Sequence, residues 1–115
     1  MNNEIILVGA RTMEMGQKLK SVLEQSMFSV VDICTSGKEV LRKETINRPD
    51  LIIVDYDLGD MTGFQIAEIL TNEQKCSMIL LANSIQKDYA EQYFEYPGVI
   101  CLLKPLNRQV FINAV

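Results

Sequence analysis

The chain of 115 residues contains no histidine. That absence removes the Ser–His and Cys–His nucleophile pairs and the commonest general base. It also denies zinc its usual nitrogen ligand, and no Cys-x-x-Cys motif compensates. Cysteine is scarce. Cys34, Cys76 and Cys101 are odd in number, widely spaced and set in apolar or strand-like surroundings. They read as reduced core or near-surface thiols of a cytoplasmic protein rather than a disulfide framework. No apolar run approaches the ~20 residues needed to cross a bilayer. The opening MNNEIILVGAR lacks the basic segment of a signal peptide, and its apolar residues read as a first strand. Basic charge is short as well: 11 Lys and Arg stand against 15 Asp and Glu, for a net charge of −4. This argues against the domain gripping nucleic acid through its own surface.

What is present is an ordinary globular composition. Hydrophobic residues make up 48% and charged residues 23%, which excludes wholesale disorder. The length suits one domain with a real core and is too short for two. No internal repeat, low-complexity segment or linker interrupts it.

The central stretch is RPDLIIVDYDLGDMTG, from Arg48 to Gly63. Leu51, Ile52, Ile53 and Val54 form a short apolar run, fit for a strand buried on both faces. It ends in Asp55, with Asp57 and Asp60 close behind. A carboxylate there either caps the strand or occupies the edge where open α/β sheets keep their sites.

Around this stretch the pattern alternates. Residues 4–8 (EIILV), 28–34 (FSVVDIC), 77–82 (SMILLA) and 99–103 (VICLL) are further strands. Between them lie helices over 13–25, from Ser36 to about Ile46, from Thr62 through Leu70, and over 86–94. Ser36–Glu39 and Thr62–Gln65 are capping boxes, and Ser84 reads as an N-cap. Pro97-Gly98 breaks the fourth helix. Asn107 caps a last helix that looks truncated at Val115, as at a boundary inside a longer protein. Strands alternating with helices predict a parallel sheet covered on both faces by right-handed crossovers. All strand C-termini then share one edge, which brings Gly9-Ala10, Asp55, Ala82-Asn83-Ser84 and Lys104-Pro105 together. Asp55 and Lys104 can meet there, either as a plain salt bridge or as a nucleophilic carboxylate with a cationic partner.

These residues resemble the receiver domain of bacterial two-component response regulators. The resemblance rests on the strand ending in Asp55, on Gly63 eight residues later, on Lys104-Pro105 about fifty residues on, and on the five-fold strand–helix order. It covers essentially the whole chain, residues 1–115. It implies an α/β, flavodoxin-like (CheY-like) fold with a five-stranded parallel sheet in the order 2-1-3-4-5 and helices on both faces. It also implies that Asp55 matches the phosphoacceptor and Lys104 the phosphate-contacting lysine. The same resemblance makes the domain a signalling module rather than an enzyme.

The departures from the family pattern are several. Receivers usually carry two adjacent acidic residues after the first strand, where they hold Mg²⁺; here Gly9 and Ala10 stand there, with the basic Arg11 next. Only Asp55 and Asp57 remain there as metal ligands, Asp32 and Glu14 are the other carboxylates the fold could bring in, and Mg²⁺ binding is expected to be weak or absent. The family's hydroxyl residue after strand four falls on Ala82, with Ser84 two residues on. Its aromatic switch falls on Cys101, and its usual proline in the acidic loop falls on Gly59. This is the pattern of an atypical receiver with weak or absent Mg²⁺-dependent phosphorylation, acting through protein contacts. The first alternative is a conventional receiver phosphorylated on Asp55 by a histidine kinase. Others are a small-ligand-binding flavodoxin-like module, disfavoured because Gly9-Ala10-Arg11-Thr12 is no glycine-rich loop, and a haloacid-dehalogenase-type phosphatase using the Asp55-Tyr56-Asp57 pattern.

Met13, Met15, Met27, Met61 and Met78 read as core side chains rather than a binding surface. Tyr89, Tyr93, Phe94 and Tyr96 cluster on and after the fourth helix. In the family, the fourth helix, fifth strand and fifth helix commonly form a dimer face, so a homodimer through them is expected. The ending LLKPLNRQVFINAV resembles receivers that carry an RNA-binding antiterminator module, which implies a DNA- or RNA-binding output domain beyond Val115. No membrane partner is expected.

Overall fold

Five parallel strands alternate with five helices: β1 Ile5–Gly9, α1 Met13–Gln25, β2 Ser29–Cys34, α2 Gly37–Asn47, β3 Leu51–Asp55, α3 Gly63–Asn72, β4 Ser77–Ala82, α4 Ser84–Tyr93, β5 Val99–Leu103 and α5 Arg108–Ala114. The computed structural model describes residues 4–72, 77–93 and 98–115. Cys76, Phe94, Tyr96 and Pro97 of the sequence reading lie outside the described residues, as does the side chain of Tyr93. The sheet order is β2-β1-β3-β4-β5 and every pairing is parallel, the flavodoxin-like arrangement the sequence implies. Among the described residues, no helix is long and apolar enough to cross a membrane.

The strand period of two sorts the core into two layers. Leu7, Ile52, Val54, Met78 and Leu80 face one side, where Val40 of α2 and Ile66, Ala67 and Leu70 of α3 pack on them. Ile6, Val8, Leu51, Ile53, Ile79 and Leu81 face the other, against Leu23 of α1 and Phe111 of α5. All five residues of β3 are buried, because the strand is central and covered by both layers. The alternation carries on past the strand ends. Asp55 shares the parity of Leu51 and Ile53, and Ala10 that of Ile6 and Val8, so both lie on the α1/α5 side. Gly9 shares the parity of Leu7 and turns to the α2/α3 side.

Local signals set most helix starts. Thr12, Ser36 and Asn107 each accept a hydrogen bond from a first-turn amide. Thr62 and Gln65 form both halves of a capping box, at 3.1 and 2.9 Å. The fourth helix corrects the sequence reading. It starts at Ser84, and its cap is Asn83, which exchanges hydrogen bonds with Gln86 at 2.8 and 3.0 Å. Ser84 therefore sits inside the first turn. The methionines correct it too. Met78 is buried and Met61 packs on the α2/α3 layer, but Met13, Met15 and Met27 are exposed. Met13 and Met15 stand in the exposed first turn of α1, and Met27 occupies a left-handed turn position at φ 71° after the helix.

Candidate functional site

The strand tips are held level by backbone hydrogen bonds that continue the sheet by one residue. The Ala10 amide donates to the Cys34 carbonyl at 2.9 Å, that of Tyr56 to Leu81 at 2.9 Å, and that of Lys104 to Ala82 at 2.8 Å. The last of these places the Lys104 side chain over the neighbouring tips, just before a cis Lys104–Pro105 peptide. Its ammonium donates to Asp55 Oδ2 at 2.9 Å, and the Asp57 amide donates to Asp55 Oδ1 at 3.0 Å. Asp55 is 5% exposed. Both oxygens of this buried carboxylate are thus satisfied, one by a partly solvated cation and one by the chain itself.

The acidic loop after β3 spends its other two carboxylates elsewhere. Asp57 accepts from Arg11 Nη1 through Oδ2 and from the Gly59 amide at 2.9 Å through Oδ1. Asp60 crosses to α2, where it accepts from the amides of Gly37 at 2.8 Å and Lys38 at 3.1 Å. Those are orphan donors at a helix N-terminus, which favours an anion. They draw the Asp60 carboxyl below its ordinary pKa. The loop turns at Gly59, whose φ of +91° no proline can adopt. Its amide is also the donor to Asp57, so this loop conformation excludes the family's usual proline on two counts.

The other carboxylates singled out in the sequence do not join the cluster. Asp32 pairs with Lys43 at 2.9 Å and lies beside Leu7 in the sheet, two positions short of the β1 tip. Glu14 pairs with Lys18 at 3.7 Å on the exposed side of α1. Ala82 is fully buried, and Ser84 is exposed in the first turn of α4. Cys101 is half-buried, and burial raises its thiol pKa. Sequence reading brought Asp55 and Lys104 together correctly. It missed the Arg11–Asp57 pair and the Asp60 cap, whose partners are 46 and 23 residues away in the chain. The basic Arg11 beside a vacant acidic pair was the available signal for the first.

A family profile described as the response regulator receiver domain matches residues 12–115. The chain belongs to the response regulator receiver family. Among curated relatives, it is similar to the sensory transduction protein LytT of Bacillus anthracis, at 27% identity over 99 residues, which is 85% of this chain and 40% of LytT. It is also similar to the transcriptional regulatory protein PdtaR of Mycobacterium tuberculosis, at 22% identity over 97 residues, 84% of this chain and 47% of PdtaR. The chain thus spans less than half the length of either relative. Among solved structures, a response regulator receiver domain protein from Clostridium thermocellum superposes with a TM-score of 0.86 at 25% identity, covering 96% of this chain and 90% of that one. The chemotaxis response regulator CheY4 of Vibrio cholerae superposes at 0.84 and 19% identity, covering 98% and 96%, and supports the fold alone.

Proposed function

We infer that this receiver domain is an atypical one, which signals through protein contacts with weak or absent Mg²⁺-dependent phosphorylation. The observation that carries the reading is the fate of the carboxylates at the strand tips. Mg²⁺ demands near-octahedral oxygen coordination and is usually anchored by carboxylates. Among the described residues, Asp55 is the one carboxylate at the tips not tied to Arg11 or to a helix end. No group of three or more His, Cys, Asp or Glu side chains converges among the described residues. Gly9 and Ala10 supply no oxygen from their side chains, and Arg11 adds a positive charge to the same edge. The residues present do not fit a receiver-type Mg²⁺ site.

A second reading is favoured by the 2.9 Å contact between Lys104 and Asp55. In it Asp55 is a conventional phosphoacceptor. A carboxylate oxygen attacks the phosphorus of a phosphohistidine donor, the P–N bond breaks, and Lys104 balances the charge gathered on the phosphoryl oxygens. A histidine kinase is the partner this reading requires.

In either reading the output lies in a further segment of the protein. The relatives' names, in sensory transduction and transcriptional regulation, and their greater length support a DNA- or RNA-binding output domain beyond Val115. The domain itself is read as contacting proteins, not nucleic acid or membrane. Ile85 and Tyr89 on α4, Ile100 and Leu103 on β5, and Val110 on α5 are exposed, which supports a homodimer through these three elements.

The test is beryllofluoride, a mimic of the acyl phosphate, added with Mg²⁺ while amide resonances are followed by NMR. An atypical receiver leaves the amides of Asp55, Asp57, Ala82 and Lys104 in place. Saturable shifts of those amides, lost in Asp55→Asn, would establish the second reading instead.

A further inference from the structure

We propose that this domain binds a small amphipathic carboxylic acid in a cavity between α1 and the segment that follows β5. This does not rest on phosphoryl chemistry at Asp55. The cavity has a volume of about 460 Å³, within the range that holds small-molecule ligands. Met15, Leu19 and Val22 of α1 form one apolar wall, and Leu106 and Phe111 form the other. Leu81 and Ala10, both buried, complete the apolar lining on the sheet side.

The charges around this apolar space are of unequal sign. Lys18, Lys104 and Arg108 line it, against the single carboxylate of Asp55. Asp55 is already matched by Lys104 at 2.9 Å. Lys18 and Arg108 are both exposed, and they leave the mouth of the cavity positive. Among the described residues Lys18 has only the loose pair with Glu14, at 3.7 Å and largely in solvent, so it can turn toward an incoming anion.

This combination selects the occupant. The walls are too apolar for inorganic phosphate or a nucleotide, and no glycine-rich loop is present to cradle phosphates. An anion placed deep, on Lys104, would face the Asp55 carboxylate at close range. The favourable pose puts an aliphatic or aromatic body between α1 and Phe111 and a single carboxylate at the mouth, between Lys18 and Arg108. The ligand would then roof the Asp55–Lys104 pair and tie α1 to α5, an input to the domain that needs no phosphate.

The experiment uses octanoate, with octanol and octylammonium as neutral and cationic counterparts, each titrated into ¹⁵N-labelled protein. Octanoate is expected to shift the amides of Ala10, Leu19, Leu81 and Phe111 saturably. Octanol should bind about tenfold more weakly and octylammonium more weakly still. Lys18→Gln with Arg108→Gln, both at exposed positions, should lower octanoate affinity about tenfold without altering octanol binding. Val22→Phe, which fills the cavity from α1, should abolish binding by both, its dispersed spectrum showing that it folds. Absence of saturation with octanoate would overturn the proposal. So would equal affinity for the three probes, or octanoate binding unchanged in the Lys18/Arg108 variant.

Discussion

Arg11 is paired with Asp57 across the tips of β1 and β3, 46 residues apart in the chain. Next to the two positions where receivers usually carry carboxylates, this chain has a cation held by a carboxylate of the acidic loop. Both partners are about half exposed, so the pair contributes little to stability. Its consequence is electrostatic: it engages the Asp57 carboxylate and so removes a potential metal ligand from the edge. Arg11→Ala should therefore lower stability by less than about 1 kcal/mol in chemical denaturation. A larger loss would mean that the pair is part of the packing of the edge.

The two residues that replace the acidic pair are not equivalent. A Cβ at Gly9 would lie 2.9 Å from both Val40 Cγ2 and Val54 Cγ1, inside the α2/α3 layer. Ala10 points to the opposite side and lines the same cavity as Asp55. Ala10→Asp should fold, should be destabilised without metal by its proximity to Asp55, and should regain thermal stability as Mg²⁺ is added. The parent chain should show no such rise. Gly9→Asp should lose about 2 kcal/mol or more from overpacking and a buried charge, and Mg²⁺ should not restore it. Thermal melts of the three proteins with and without Mg²⁺ check this.

Lys104 compensates a carboxylate that is almost wholly buried. Lys104→Met should cost about 1–3 kcal/mol in urea unfolding at neutral pH, because Asp55 loses its cationic partner. Adding Asp55→Asn to that variant should recover most of the loss, since the new side chain is neutral. Equal destabilisation by the double variant would show that the ion pair is not what Lys104 supplies.

Asp60 links the acidic loop to the start of α2, and its carboxyl pKa is lowered by the amide of Gly37 and then that of Lys38. A lowered folded pKa stabilises the fold in the ionised form. The contribution is complete above the ordinary value of 3.8 and is lost as pH falls through the lower folded value. Asp60→Asn should shallow the acid limb of the stability–pH curve. At neutral pH it should cost less than about 1 kcal/mol, the carboxylate being exposed and screened. An unchanged acid limb would contradict the assignment.

Cys34 is fully buried at the end of β2, and burial pushes its thiol up to about 12. At about pH 8 it should resist alkylation in the native protein and react only on unfolding. Peptide mapping after iodoacetamide treatment, with and without urea, reads this directly. Rapid native labelling of Cys34 would mean that the β2 edge opens.

Much of this architecture was legible in the sequence, for identifiable reasons. Leu51–Val54 and Ser77–Ala82 are apolar runs too short for helices, and both are buried central strands. The meeting of Asp55 with Lys104 follows from parallel strands, which place all C-termini on one edge. What escaped depended on longer-range or subtler geometry. Asn83 and Gln86 carry a capping signature, but Ser84 beside them competes for the same role. Met15 shares the α1 stripe of Leu19 and Val22 but stands in the first turn, beyond the packed part of the sheet, and so stays exposed. Asp60 and Arg11 each find partners that only the folded loop reveals. The side to which Gly9 and Ala10 point is a matter of register, and composition carries no trace of it.

The proposed atypical receiver has Asp55 in a site not built for Mg²⁺-dependent phosphoryl transfer. The most direct measurement is intact-protein mass after incubation with acetyl phosphate and Mg²⁺, the parent chain beside Asp55→Asn. No phosphoryl adduct is expected on either protein, with circular dichroism showing both to be folded. An adduct on the parent chain that is missing from Asp55→Asn would contradict that reading and make Asp55 a working phosphoacceptor.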